Sequence, residues 1–138
     1  MCYIRINRKG KGKGVESEEF IAIRRRLQKT QKELAELLGS SLKAVSSYEQ
    51  GWRSIPGHVE RQLLYLFSKK IKLKDRNCWD ITRCSPEKKE NCPAWEFNSG
   101  TLCWFVNGTI CAQQPHKNWH EKIAICRQCK VLKRLLRS

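Results

Sequence analysis

Residues 30–51 read T-Q-K-E-L-A-E-L-L-G-S-S-L-K-A-V-S-S-Y-E-Q-G, and they decide the fold of the first half of the chain. Thr30 is a good N-cap, and Glu33, three positions on, completes a capping box. Leu34, Leu37 and Leu38 fall at helical spacing, with Ala35 small enough for a close helix–helix contact. Gly39 stands where the residue after a helix must turn left-handed. Ser41 can cap a second helix, with Ala44, Val45 and Tyr48 as its inward stripe and Gly51 at its end. The expectation is two short helices joined by a tight turn.

The whole pattern, T-Q-x-E-L-A-x-x-x-G-x-S-x-x-x-V-S-x-Y-E-x-G, resembles the Cro/C1-type (XRE-type) helix-turn-helix domain. Gln31, Glu33, Leu34, Ala35, Gly39, Ser41, Val45, Ser46, Tyr48, Glu49 and Gly51 carry the resemblance. Leu42 departs from it, since the family usually has a polar reader or a small residue there. The resemblance implies a sequence-specific DNA-binding regulator whose second motif helix enters the major groove. It places Gln31 against a phosphate and against the second helix. Leu42, Lys43 and Ser47 become the base-reading positions. Ser41, Ser46 and Gln50 complete the DNA-facing set, and Arg53, just past the motif glycine, becomes a phosphate contact. Lys43 can donate to guanine, Ser47 can pair with several bases, and Leu42 can touch a thymine methyl.

The flanks extend this reading. Residues 1–15 alternate Lys and Gly from Lys9 to Gly14 and have no apolar face, so they read as a flexible basic arm or a solvated tail. Ser17, Glu18 and Glu19 open a supporting helix with Phe20, Ile21, Ile23 and Leu27 on its apolar side. Arg24, Arg25, Arg26 and Lys29 are expected to face outward at least in part. The stretch W-R-S-I-P-G at 52–57 is a loop. From His58 to about Leu73, Val59, Leu63, Leu64, Leu66 and Phe67 predict the helix that closes the bundle.

The formal charge is +15 on 138 residues. Through Arg76 there are 18 basic and 8 acidic residues, and beyond it 10 and 5. Both parts are basic, which favours a polyanionic partner, with double-stranded DNA ahead of an anionic membrane surface. No stretch approaches the ~20 apolar residues that span a bilayer. The N-terminus lacks the apolar run of a secretory signal, so the expected location is the cytoplasm.

Seven of the eight cysteines lie between Cys78 and Cys129. In a reducing compartment this density argues for metal rather than for disulfides. Cys78, Cys84, Cys92, Cys103, Cys111, Cys126 and Cys129 are the candidate ligands, and a Cys-Trp pair recurs at 78–79 and 103–104. The segment resembles the two-CW domain, a bacterial cysteine-rich element that also accompanies sensory proteins. Few aliphatic residues lie between 78 and 118, so a metal or a cross-link would help hold such a module together. Cys126 and Cys129 are expected inside one helix opened by Asn118 and Glu121, joined as ligands by cysteines of the two Cys-Trp segments. The spacing leaves an iron–sulfur cluster and zinc both open. His116 and His120, without a carboxylate in an H-E-x-x-H pattern, read as a surface pair. Val131, Leu132, Leu135 and Leu136 are expected to extend the last helix. Their apolar face serves either packing within the module or a homodimer contact.

The expected fold is mainly α: an N-terminal helical bundle with a helix-turn-helix at 16–77, then a small irregular cysteine-rich module at 78–138 ending in a helix. No catalytic constellation accompanies it, so an enzyme is not expected. Two other functions remain open, a thiol–disulfide redox protein and an adaptor whose helical domain docks other proteins.

Overall fold

The computed structural model describes residues 14–71, 76–111 and 114–137. The arm up to Lys13 and the lysines at 72 and 74 lie outside them. The chain is mainly α and divides into two compact units, residues 14–72 and residues 73–138.

The first unit holds four helices. They are α1 (Ser17–Arg26), α2 (Gln31–Leu38), α3 (Leu42–Glu49) and α4 (Gly57–Lys70). Thr30 Oγ1 accepts from the Glu33 N–H at 3.1 Å, and Glu33 Oε1 accepts from the Thr30 N–H at 3.1 Å, which is the capping box read from the sequence. Gly39 closes α2 with φ +63°, a conformation that disfavours any residue with a Cβ. Ser41 Oγ caps α3 by accepting from the Ala44 N–H at 3.0 Å. Phe20, Leu34, Val45, Val59, Leu63, Leu64 and Phe67 form the buried centre.

Two expectations change here. Gly14 and Val15 are not part of a loose arm: Val15 is buried, and its N–H donates to Glu60 Oε1 at 3.0 Å. Glu60 is itself fully buried on α4, so this backbone donor satisfies part of a carboxylate that burial would otherwise leave wanting. Gly57 lies inside α4 rather than in the preceding loop, with Pro56 as the N-cap residue.

The second unit is built from short pieces. These are α5 (Cys78–Thr82), α6 (Pro86–Glu90), α7 (Pro93–Glu96) and α8 (Cys103–Val106). A two-residue hairpin follows, β1 (Ile110–Cys111) paired antiparallel with β2 (Gln114–Pro115). The chain ends in α9 (Trp119–Gln128) and α10 (Lys130–Leu136). Pro86 and Pro93 sit in the first turns of α6 and α7, where a missing N–H costs nothing. Gly100 allows a close approach: a Cβ there would stand 2.6 Å from Asn77 Oδ1 and 2.7 Å from the Trp79 ring. Its carbonyl accepts from the Cys78 N–H at 2.7 Å, which anchors the start of α5.

The last helix differs from expectation. Cys129 adopts an extended conformation (φ −79°, ψ 140°) and separates α9 from α10. Cys126 and Cys129 therefore do not share one helix. The break turns Val131, Leu132 and Leu135 into the unit's own core, with Val131 packed among Cys78 and Ala94. Of the two readings of this apolar face, packing within the module is the one observed for these three residues.

Candidate functional sites: a helix-turn-helix face and a thiol-lined cavity

In the first unit, one carboxylate organises the motif. Glu49, at the end of α3, is almost fully buried on its side chain and takes an ion pair from Arg24 Nε of α1. Gln31 Nε2, at the start of α2, donates to its other oxygen. Arg24 also donates to the Lys29 carbonyl at 3.1 Å. Three helices thus meet on Glu49, which fixes the angle at which α3 is presented. Gln31 buttresses α3 as expected of its position. Arg24 is turned inward by this network rather than outward, a role the arginine run did not announce. The only sequence signal was the Tyr48-Glu49 end of the motif pattern.

The presented face of α3 begins with Ser41, Leu42 and Lys43, all exposed, Leu42 at 50 %. Ser46 is half-buried and accepts from Gln50 Nε2 at 2.8 Å, while Gln50 is exposed. Ser47 departs from expectation. It is buried, and its hydroxyl donates to the Lys43 carbonyl at 2.8 Å, so it faces the bundle and is already bonded within the helix. Arg53 is exposed in the loop after α3, and Trp52 beside it is 76 % exposed rather than covering a core edge.

The second unit brings all seven of its cysteines to one cavity of about 210 Å³. Cys78 comes from α5, Cys84 from the turn after it, Cys92 from the start of α7, Cys103 from α8 and Cys111 from β1. Cys126 comes from α9, and Cys129 from the break before α10. All seven are free thiols. Hence a segment whose cysteine spacings match no zinc ribbon or ferredoxin run still gathers its sulfurs in space. Among the described residues, no three Cys, His, Asp or Glu side chains close in on a single point as a bound ion would draw them.

Cys78 and Cys103, the cysteines of the two Cys-Trp pairs, share a hydrogen bond. That bond is the main reason the Cys78 thiol lies below the ordinary thiol range. The same bond, then burial, then the negative charges of Cys78, Cys126 and Cys129 push Cys103 well above it. In this pair Cys78 gives up its proton first and Cys103 holds its own. The sulfurs of Cys78, Cys126 and Cys129 lie within electrostatic reach of Cys103, and Cys129 within reach of Cys78. Elsewhere on the wall, Thr82 Oγ1 lies 3.1 Å from Cys84 Sγ, and Asn107 Nδ2 donates to Cys92 Sγ at 3.6 Å.

Positive charge faces these thiols. Lys122 is fully buried and lines the cavity; its ammonium donates to the Trp104 carbonyl and lies 5.2 Å from the centre of the Trp119 ring. Arg83 and Lys88 line the cavity as well. Lys122 was missed in the sequence, although it stands four residues before Cys126 and hence on the same face of α9. His116 and His120 are not brought to the cavity, and His120 is exposed.

Residues 21–57 match the helix-turn-helix family, a span that runs from α1 to the start of α4. With the capped α2–Gly39–α3 geometry, this match supports a Cro/C1-type helix-turn-helix in this segment and a DNA-binding regulator. No curated protein and no solved structure shows a significant match to the chain. Among the described residues, no helix is long and apolar enough to cross a membrane.

Proposed function

We propose that the protein is a cytoplasmic, sequence-specific transcriptional regulator in which residues 16–77 bind double-stranded DNA. Residues 78–138 then hold a thiolate-bound metal centre, an iron–sulfur cluster or zinc, that makes DNA binding respond to redox state or metal supply. The observation that carries the DNA-binding reading is α3 itself. It is capped at Ser41, locked at Glu49, and free along Leu42 and Lys43 at its N-terminal end, the end such helices direct at base edges. The basic excess of the part through Arg76 supports the same partner. Lys43 and Leu42 read bases, Arg53 and Ser41 hold phosphates, and Gln50 lies alongside. Gln31 acts mainly through Glu49, and Ser46 and Ser47 shape the helix rather than read. The basic arm at 1–13 adds phosphate contacts. Relatives of this domain class bind as dimers on half-sites about one helical turn apart, so a homodimer on DNA belongs to the proposal.

The test is binding to a selected operator over a range of salt. Affinity should fall steeply as salt rises. Lys43→Ala should cost about 1–3 kcal/mol at the operator and flatten the preference at one base position. Arg53→Ala should weaken all sequences alike and lower the salt slope. Unchanged sequence preference in Lys43→Ala would remove the base-reading role.

The gathering of seven thiols at one cavity favours the metal reading over a dithiol oxidoreductase, which needs only two.

A further inference from the structure

Cavity size distinguishes between the two kinds of metal centre. A structural zinc site is closed: four ligands stand ~2.3 Å from one ion and leave no room inside. One water-sized sphere needs only ~10–15 Å³. The cavity of about 210 Å³ is far larger, and its thiols arrive from five helices or their ends, a turn and a strand. Such a wall surrounds a body rather than a point. An anionic occupant would also suit Lys122, a fully buried ammonium that lines the same cavity and donates to the Trp104 carbonyl. An isolated buried cation is costly, and an anionic neighbour offsets that cost. Four thiolates carry net negative charge around an iron–sulfur core as they do around zinc, so charge suits either centre and volume separates them. Donors to ligand and neighbouring sulfurs, as Asn107 supplies to Cys92, are the groups that tune such cores.

We infer that this cavity takes an iron–sulfur cluster held by Cys78, Cys103, Cys126 and Cys129, with Lys122 as its internal countercharge. The inference rests on the proposed reading that the thiols hold a metal centre, and it selects the kind. Cys84, Cys92 and Cys111 form the remaining wall. Lys122 is a positioning residue: its ammonium favours whichever state of the cluster carries more negative charge, which is the reduced one. Replacing it with a neutral side chain therefore moves the reduction potential to more negative values.

The full-length protein is purified without oxygen and reconstituted with ferrous iron and sulfide. Iron, acid-labile sulfide and zinc are then measured, with the visible spectrum and with thiol alkylation read by mass spectrometry. The expected result is a coloured protein with sulfide bound in proportion to iron and with Cys78, Cys103, Cys126 and Cys129 protected from alkylation. Lys122→Gln, which keeps a donor for the Trp104 carbonyl, should shift the potential negative, whereas Lys122→Arg should stay near the parent value. One zinc per chain on those thiols, with no sulfide taken up, overturns the cluster and leaves a metal centre. A folded, metal-free protein with all seven thiols alkylated overturns both. Equal potentials in the parent, Lys122→Gln and Lys122→Arg overturn the countercharge role. Should Lys122→Gln fail to fold, the iron-to-sulfide ratio and protection pattern of the parent decide the cluster alone.

Discussion

At the scale of single residues, Glu49 and Lys122 have the same problem and opposite solutions. Both carry a charge away from water, and each needs a partner that compensates. For Glu49 the partners come from two other helices, Arg24 and Gln31. Removing the carboxylate in Glu49→Ala leaves the partly buried Arg24 and the Gln31 amide without their acceptor. The expected loss is about 1.5–3 kcal/mol, the range for hydrogen bonds to charged groups. The larger consequence is geometric, since α3 loses its tie to α1 and α2. Amide hydrogen exchange across α1–α3 should therefore quicken, and operator affinity should fall although Glu49 itself does not face the DNA. Intact exchange protection with reduced affinity would instead make Glu49 a direct DNA contact. Ser47 illustrates the converse. A hydroxyl on the recognition helix resembles a base reader in the sequence, but an i to i−4 bond to the Lys43 carbonyl already satisfies it.

At the scale of elements, α2 is the most completely specified in the chain. Its start depends on the capping box, where the Thr30 backbone N–H and then its hydroxyl hold the Glu33 carboxyl below the usual carboxylate range. A depressed folded pKa means that Glu33 contributes its stabilisation above the unfolded carboxylate value of about 4.3 and loses it as pH falls through the lower folded value. A carboxyl NMR titration should show Glu33 titrating below the ordinary glutamate value of about 4.3. A midpoint at that ordinary value would deny the box in solution. The end of α2 depends on Gly39. A Cβ there would meet nothing within 4 Å, so the cost of Gly39→Ala is conformational alone, about 1–2 kcal/mol from φ +63°. Gly39→Asn should cost less, and equal losses in thermal unfolding would point to sterics instead.

These same features explain what was legible beforehand. Caps, a left-handed glycine and apolar spacing over eight-residue helices leave local marks in the sequence. The helices of four and five residues in the second unit are too short for periodicity to register. Ser85-Pro86 did hold a readable start for α6, an N-cap followed by proline. The break at Cys129 had no glycine or proline to mark it, so Cys126-x-x-Cys129 read as one helical face. The repeated Cys-Trp pairs were legible, and the structure sets their cysteines, Cys78 and Cys103, side by side.

At the scale of the whole molecule, the two units hold themselves together by different means, and this yields the last prediction. The first unit fully buries Phe20, Phe67, Leu34, Leu63, Leu64, Val45 and Val59, each supplied by a helix of eight residues or more. Among the described residues, the second fully buries Trp104, Ile123, Leu132 and the small Ala94, together with the charged Lys122. Full burial of a large apolar side chain contributes roughly 1.5–3 kcal/mol, so the second unit has much less to set against its chain entropy. Its cysteines line a cavity, and Cys78 also packs against Ala94 and Val131. If a metal centre occupies that space, its binding free energy is largely the folding free energy of this unit. Stripping metal from the protein under reducing conditions should therefore release amide protection across α5–α10 while α1–α4 keep theirs. Hydrogen-exchange mass spectrometry with and without chelator measures both units in one sample. Restored protection on returning iron and sulfide, or zinc, identifies which occupant the fold requires. Loss spread evenly over both units would tie their stabilities together, and protection unchanged everywhere would show that the cavity stands without an occupant.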